Sequence, residues 1–126
     1  MRTELCRRSQ RQEPGAGFYM TEKRIVITTA GSQDEARAIG RALVERGLAA
    51  CVNIVPAVES IYRWQGNVDS TQEWLLIIKT TQGAFSGVRN AIAELHSYDL
   101  PECIMLAIED GSDDYLKWIA DSISTQ

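Results

Sequence analysis

Apolar residues change their period several times along this chain, and each change marks an element. Ile25-Val26-Ile27-Thr28-Thr29 is a short β-branched run that reads as a buried strand over residues 23–29, ended by Gly31. Ser32-Gln33-Asp34-Glu35 then fits a capping box, in which the Ser32 hydroxyl takes an amide and Glu35 reaches back. Ala36, Ile39, Gly40 and Leu43 fall on one face of the helix that follows, and Gly47 stops it.

A period of two takes over next. Residues 50–62 are extended, with Pro56 marking a bend, a bulge or a sheet edge because it has no N–H for a ladder. Beyond it Val58, Ser60, Tyr62 and Trp64 alternate with Glu59, Ile61 and Arg63. Gln65-Gly66-Asn67 turns the chain, and residues 68–80 return around Trp74-Leu75-Leu76-Ile77-Ile78. A hairpin this long is marginal alone. Its aromatic tip is expected to pack on another subunit.

Helical spacing resumes at Phe85, Val88, Ile92 and Leu95, followed by the apolar run Cys103–Ile108, read as a buried strand. Gly111 turns the chain once more. Ser112 is placed to cap a last helix with Asp113 and Asp114 in its first turn and Leu116, Ile119 and Ile123 facing inward. The order β-α-β-β-α-β-α predicts an α+β, ferredoxin-like βαββαβ sandwich with a long hairpin and an added C-terminal helix.

Composition narrows the function classes. The 126 residues suit one domain, with 44% apolar and 24% charged residues as in ordinary globular proteins. No run reaches the roughly 20 apolar residues of a membrane span, so no membrane partner is expected. The whole chain carries −4; residues 1–20 hold four arginines against two glutamates, which leaves −6 on the remainder. That acidic body argues against nucleic acid. Residues 1–20 read as a disordered basic leader or extension, and residues 21–126 as one domain. Cys6, Cys51 and Cys103 are too scattered for a disulfide framework or a thiolate zinc site. Cys51 and Cys103 read as small buried hydrophobes. A reducing, cytoplasmic setting follows.

Chemistry concentrates in one place. The only histidine opens His96-Ser97-Tyr98-Asp99-Leu100-Pro101-Glu102, where a helical pattern gives way to a strand. Connections are where sites tend to be built. An enzyme using His96 and Glu102 as acid and base finds no activated nucleophile and no phosphate loop beside it, so the chain is read as non-enzymatic. Lys79 could pair with Glu102 or Asp99, or hold an anion.

Five motifs in order carry a resemblance. Ala49–Pro56 runs into Ser60-Ile61-Tyr62-Arg63-Trp64-Gln65-Gly66. Ile78-Lys79-Thr80, then His96-x-Tyr98-x-x-Pro101-Glu102, then Tyr115-Leu116-x-Trp118 follow. Together, across residues 23–124, they resemble the divalent-cation tolerance family, CutA. The resemblance implies a homotrimer whose hairpin arms join the subunits, a role in tolerating copper and other divalent cations, and no required cofactor. It implies ion or small-anion binding at intersubunit clefts through Tyr62, Trp64, Lys79, His96, Tyr98 and Glu102, with His96 and Glu102 as metal candidates. The family's copper set pairs a thiol and an imidazole with the glutamate. Thr28 and Leu95 stand at the first two positions here, so only weak copper binding is implied. The trimer also resembles PII-type ligand sensors, and a sensor or scaffold without physiological metal binding is the alternative.

Overall fold

The computed structural model describes residues 21–124. The expected leader lies outside them. The strands are β1 (Lys23–Ala30), β2 (Cys51–Trp64), β3 (Asn67–Thr81) and β4 (Ile104–Ala107); the helices are α1 (Gln33–Glu45), α2 (Phe85–Leu95) and α3 (Asp113–Ser122). A 3₁₀ turn, Gln82–Ala84, leads into α2. The sheet order is β2-β3-β1-β4 with every neighbouring pair antiparallel, the split βαβ arrangement that the element order predicts.

Alternation along the central strands decides where the core sits. Val26, Thr28 and Ala30 of β1 and Leu76, Ile78 and Thr80 of β3 are fully buried and point to one face. On that face Ala36, Ile39 and Leu43 of α1 and Val88, Ala91 and Ile92 of α2 complete one apolar cluster. The other face carries Ile25, Ile27, Leu75 and Ile77, only partly covered within one chain.

One buried atom breaks the pattern. The Thr28 hydroxyl, inside the core, has no hydrogen-bond partner among the described residues. A buried unmet hydroxyl costs about 1–3 kcal/mol, so Thr28→Val is expected to stabilise the fold by about that amount in urea titration. A loss of stability would show that the hydroxyl has a partner.

The hairpin closes on a two-residue turn rather than three. Trp64 pairs with Asn67, and Gln65 and Gly66 both take positive φ, 50° and 85°, as the right-handed twist of the arms favours. Pro56 does mark a bulge on an edge strand: Pro56 and Ala57 together oppose Trp74, with Ala57 at φ 62°.

Four local expectations need correcting. Ser32 caps α1 by accepting the Glu35 N–H at 3.1 Å, yet the Glu35 carboxylate is drawn off to Ser97. Ser112 sits at the N-cap of α3 without a side-chain hydrogen bond. β4 is not buried; Ile104 and Leu106 are 50% and 47% exposed, because among the described residues β4 is a sheet edge flanked only by β1 and its outer face is uncovered. Cys51 and Cys103 are half-buried: Cys103 packs against the margin of the apolar cluster, and Cys51 lies opposite Lys79 and outside that cluster.

Candidate functional site

The His96 cluster is assembled by three chain segments meeting at one end of the sheet. α2 ends at Leu95, and His96 leaves the helix with its N–H still bonded to Ile92 O at 2.9 Å. Its ring turns under β1, with Nε2 2.6 Å from Thr29 O. A carbonyl oxygen only accepts, so Nε2 carries the proton. Nδ1 in turn accepts the Tyr98 N–H at 3.1 Å. Both nitrogens are engaged, and the imidazole is the neutral Nε2–H tautomer.

The backbone bond places Tyr98. Its ring lies 4.6 Å from the imidazole, and its hydroxyl donates to Glu73 Oε2 at 2.7 Å. Gly31 makes room: a Cβ there would stand 3.0 Å from the Tyr98 hydroxyl oxygen. Burial, then the hydrogen bond and charge of Glu73, push the Tyr98 phenol up to about 12. The Glu35 charge adds in the same direction.

Two carboxyls here are displaced in opposite directions. Glu102 is exposed, yet surrounding protein partly desolvates it, and that effect with the Glu73 charge pushes its carboxyl above the usual range. Burial also pushes Glu35 up. It is overcome by the Ser97 hydroxyl and amide at 3.2 and 2.6 Å, with the Gly31 amide adding to them. The net effect holds Glu35 below the usual range.

Of the six residues expected to share a ligand site, His96 and Tyr98 meet here, and Glu102 is close enough to Glu73 for their charges to interact, whereas Tyr62 lies out on the hairpin arm opposite Asp69. Lys79 does not. It lies six residues along β3 from Glu73, roughly 20 Å at strand rise, paired with Ile25 and Cys51. Its ammonium donates to Asn53 Oδ1, not to Glu102 or Asp99. Trp64 stands at the hairpin tip, 60% exposed. Within one chain the expected site is therefore in three places.

Sequence reasoning missed Glu73 and gave Glu35 only a capping role. Glu73 is nearly buried. Its one signal was a carboxylate opening the apolar run Trp74–Ile78.

Within one chain the described residues do not form a copper set. Thr28 brings no thiol and is sealed in the core, and Cys51 lies at the Lys79 end of the sheet. Among the described residues no group of three His, Cys, Asp or Glu side chains is placed to hold an ion. A cavity of about 470 Å³ between the starts of β2 and α2 and the end of α3 is lined by Leu48, Gly87, Ile123 and other residues, none of them titratable. No described helix is long and apolar enough to cross a membrane.

Much apolar surface stays uncovered. Val55, Ile104 and Leu106 are exposed on the face away from α1 and α2, beside Ile25, Ile27, Leu75 and Ile77. Ile61, Trp64 and Val68 are exposed along the hairpin arm. Tyr115 and Trp118 pack together on the outside of α3 with centroids 5.4 Å apart.

A family profile described as "CutA1 divalent ion tolerance protein" matches residues 24–122. The chain is 48% identical over 98 residues to the divalent-cation tolerance protein CutA of Thermus thermophilus, covering 78% of this chain and 95% of that one. It is 43% identical to the chloroplastic protein CutA of Arabidopsis thaliana, over 78% of this chain and 54% of that protein's length. The crystal structure of CutA1 from Oryza sativa superposes with a TM-score of 0.82 at 34% identity, covering 85% of this chain and 98% of that one.

Proposed function

We propose, because the chain belongs to the CutA1 divalent ion tolerance family, that it works as a homotrimer binding divalent cations or small anionic ligands at clefts between subunits. It catalyses no reaction in this reading, and the cytoplasmic setting expected from its scattered thiols belongs to the same proposal. The observation that carries it is the uncovered face of the sheet. Seven aliphatic side chains lie there, three of them between 38% and 50% exposed. A contiguous apolar patch of this kind marks a contact surface. Strand β4 adds an unpaired, apolar edge, which natural sheets rarely leave open. Covering by like copies also explains why Lys79, Trp64 and the Tyr98 cluster lie apart in one chain: a cleft between subunits draws its lining from several copies.

For the cation, Glu102 and Glu73 supply oxygen ligands, a donor class that favours hard ions over copper. Calorimetric titration with manganese(II) and copper(II) tests this. Glu102→Gln is expected to weaken manganese affinity about tenfold or more, a loss of about 1.4 kcal/mol. Ion binding needs the ionised carboxylate, and the Glu102 carboxyl is pushed up. Affinity should therefore fall as pH is lowered, starting at a higher pH than for an ordinary glutamate. Unchanged binding in Glu102→Gln would remove that residue as a ligand.

A further inference from the structure

In a chain of a divalent-ion tolerance family, the only histidine is the first place to look for a metal. The geometry points to another role: His96 is a positioning residue that holds Tyr98 onto Glu73, and its imidazole is not a metal ligand in this protein.

A ring nitrogen ligates through its lone pair. Nε2 has none to offer, since it faces Thr29 O at 2.6 Å and must carry the proton. The Nδ1 lone pair is taken by the Tyr98 N–H at 3.1 Å. The side chain has no exposed surface, so neither nitrogen meets solvent from which an ion could arrive. The nearest carboxylate oxygen, Glu35 Oε2, is 3.9 Å from Nδ1 and is itself held by the Ser97 amide at 2.6 Å. Ligation would break at least one bond to a backbone group and leave that group buried and unmet.

The purpose of the lock is at Tyr98. Fixing its amide sets the phenol over Gly31, from where the hydroxyl reaches the nearly buried Glu73 carboxylate. His96 thus decides, one residue removed, whether Glu73 has its donor. The inference stands on the single chain and does not depend on assembly or on ion binding by the carboxylates.

Long-range nitrogen–proton NMR of the full-length protein reads the ring directly. The expected spectrum is the neutral Nε2–H form, with both ring nitrogens unmoved by excess zinc(II). A zinc-induced shift of either ring nitrogen, or an Nδ1–H form in ion-free protein, overturns the inference. Two variants test the positioning role. His96→Asn keeps an oxygen near the Nδ1 position to accept the Tyr98 N–H, whereas His96→Leu offers no acceptor. The Overhauser contact between the Tyr98 ring and the Gly31 α-protons is expected in the wild type and the asparagine variant and lost in the leucine variant. Contact surviving in the leucine variant, or lost in a folded asparagine variant, overturns it too. If neither variant folds, the wild-type ring shifts decide.

Discussion

Leu106→Glu is expected to turn an assembled protein into single chains of 14.0 kDa without unfolding them. Leu106 lies on the β4 edge strand, opposite Ile25, and is 47% exposed in one chain. A carboxylate there stays in water as long as the chain is alone, and surface changes of this kind usually fall within about 0.5 kcal/mol. Covered by another copy, the same charge loses its hydration, a penalty of several kcal/mol per ion. A closed trimer repeats that penalty at each interface. Light scattering should give three chains' mass for the wild type and one for the variant, with superimposable circular dichroism. A wild type that runs as one chain would sink the assembly proposal. A variant that stays assembled would move the interface away from β4.

Gly47→Ala is expected to destabilise the fold by about 2–4 kcal/mol, among the larger single-residue effects. Gly47 ends α1 at φ 72°, a left-handed conformation that costs a residue with a Cβ about 1–2 kcal/mol. Space is the second obstacle. A Cβ at Gly47 would stand 1.9 Å from Ser124 Oγ and 2.9 Å from Ser124 Cβ. Ser124 is held against Gly47 by its own N–H, which donates to Gly47 O at 2.9 Å. The added methyl therefore pushes away the segment that ties down α3, whose Ile119 is fully buried. The two contributions separate. Gly66→Ala has positive φ with nothing within 4 Å, so it should show the backbone part alone, about 1 kcal/mol. Gly47→Ala combined with Ser124→Gly should recover the steric part. Denaturant midpoints that put Gly47→Ala within 0.5 kcal/mol of wild type would refute the account.

The elements were legible because each rests on a local rule. The β-branched run of β1, the amphipathic faces of α1 and α2, the punctuation at Gly31, Gly47 and Gly66 and the bulge at Pro56 all depend on residues within a turn or a strand length of one another. Where local rules missed, a distant partner had intervened. Glu35 satisfies the pattern of a capping box, but Ser97, 62 positions away, takes its carboxylate. Cys103–Ile108 is apolar enough for a buried strand, but burial depends on what lies across from it, and β4 is an edge.

The site shows the same division. The sequence drew attention to His96, Tyr98 and Glu102 because chemistry-bearing side chains are crowded into seven positions, and the fold does bring them to one end of the sheet. It could not show Glu73, which joins them only because the middle of β3 lies beside the end of β1, nor could it show that Lys79 faces the other end. Residue type also says nothing about which lone pair is free. By itself the sequence determined the order of elements, the fold class and the family, since these follow from periodicity and from motifs read along the chain. Only the tertiary structure decided what His96 can do. A tautomer is set by the groups that face each ring nitrogen, and those groups, Thr29 O and the Tyr98 amide, meet at the ring only once β1 and the end of α2 have packed together.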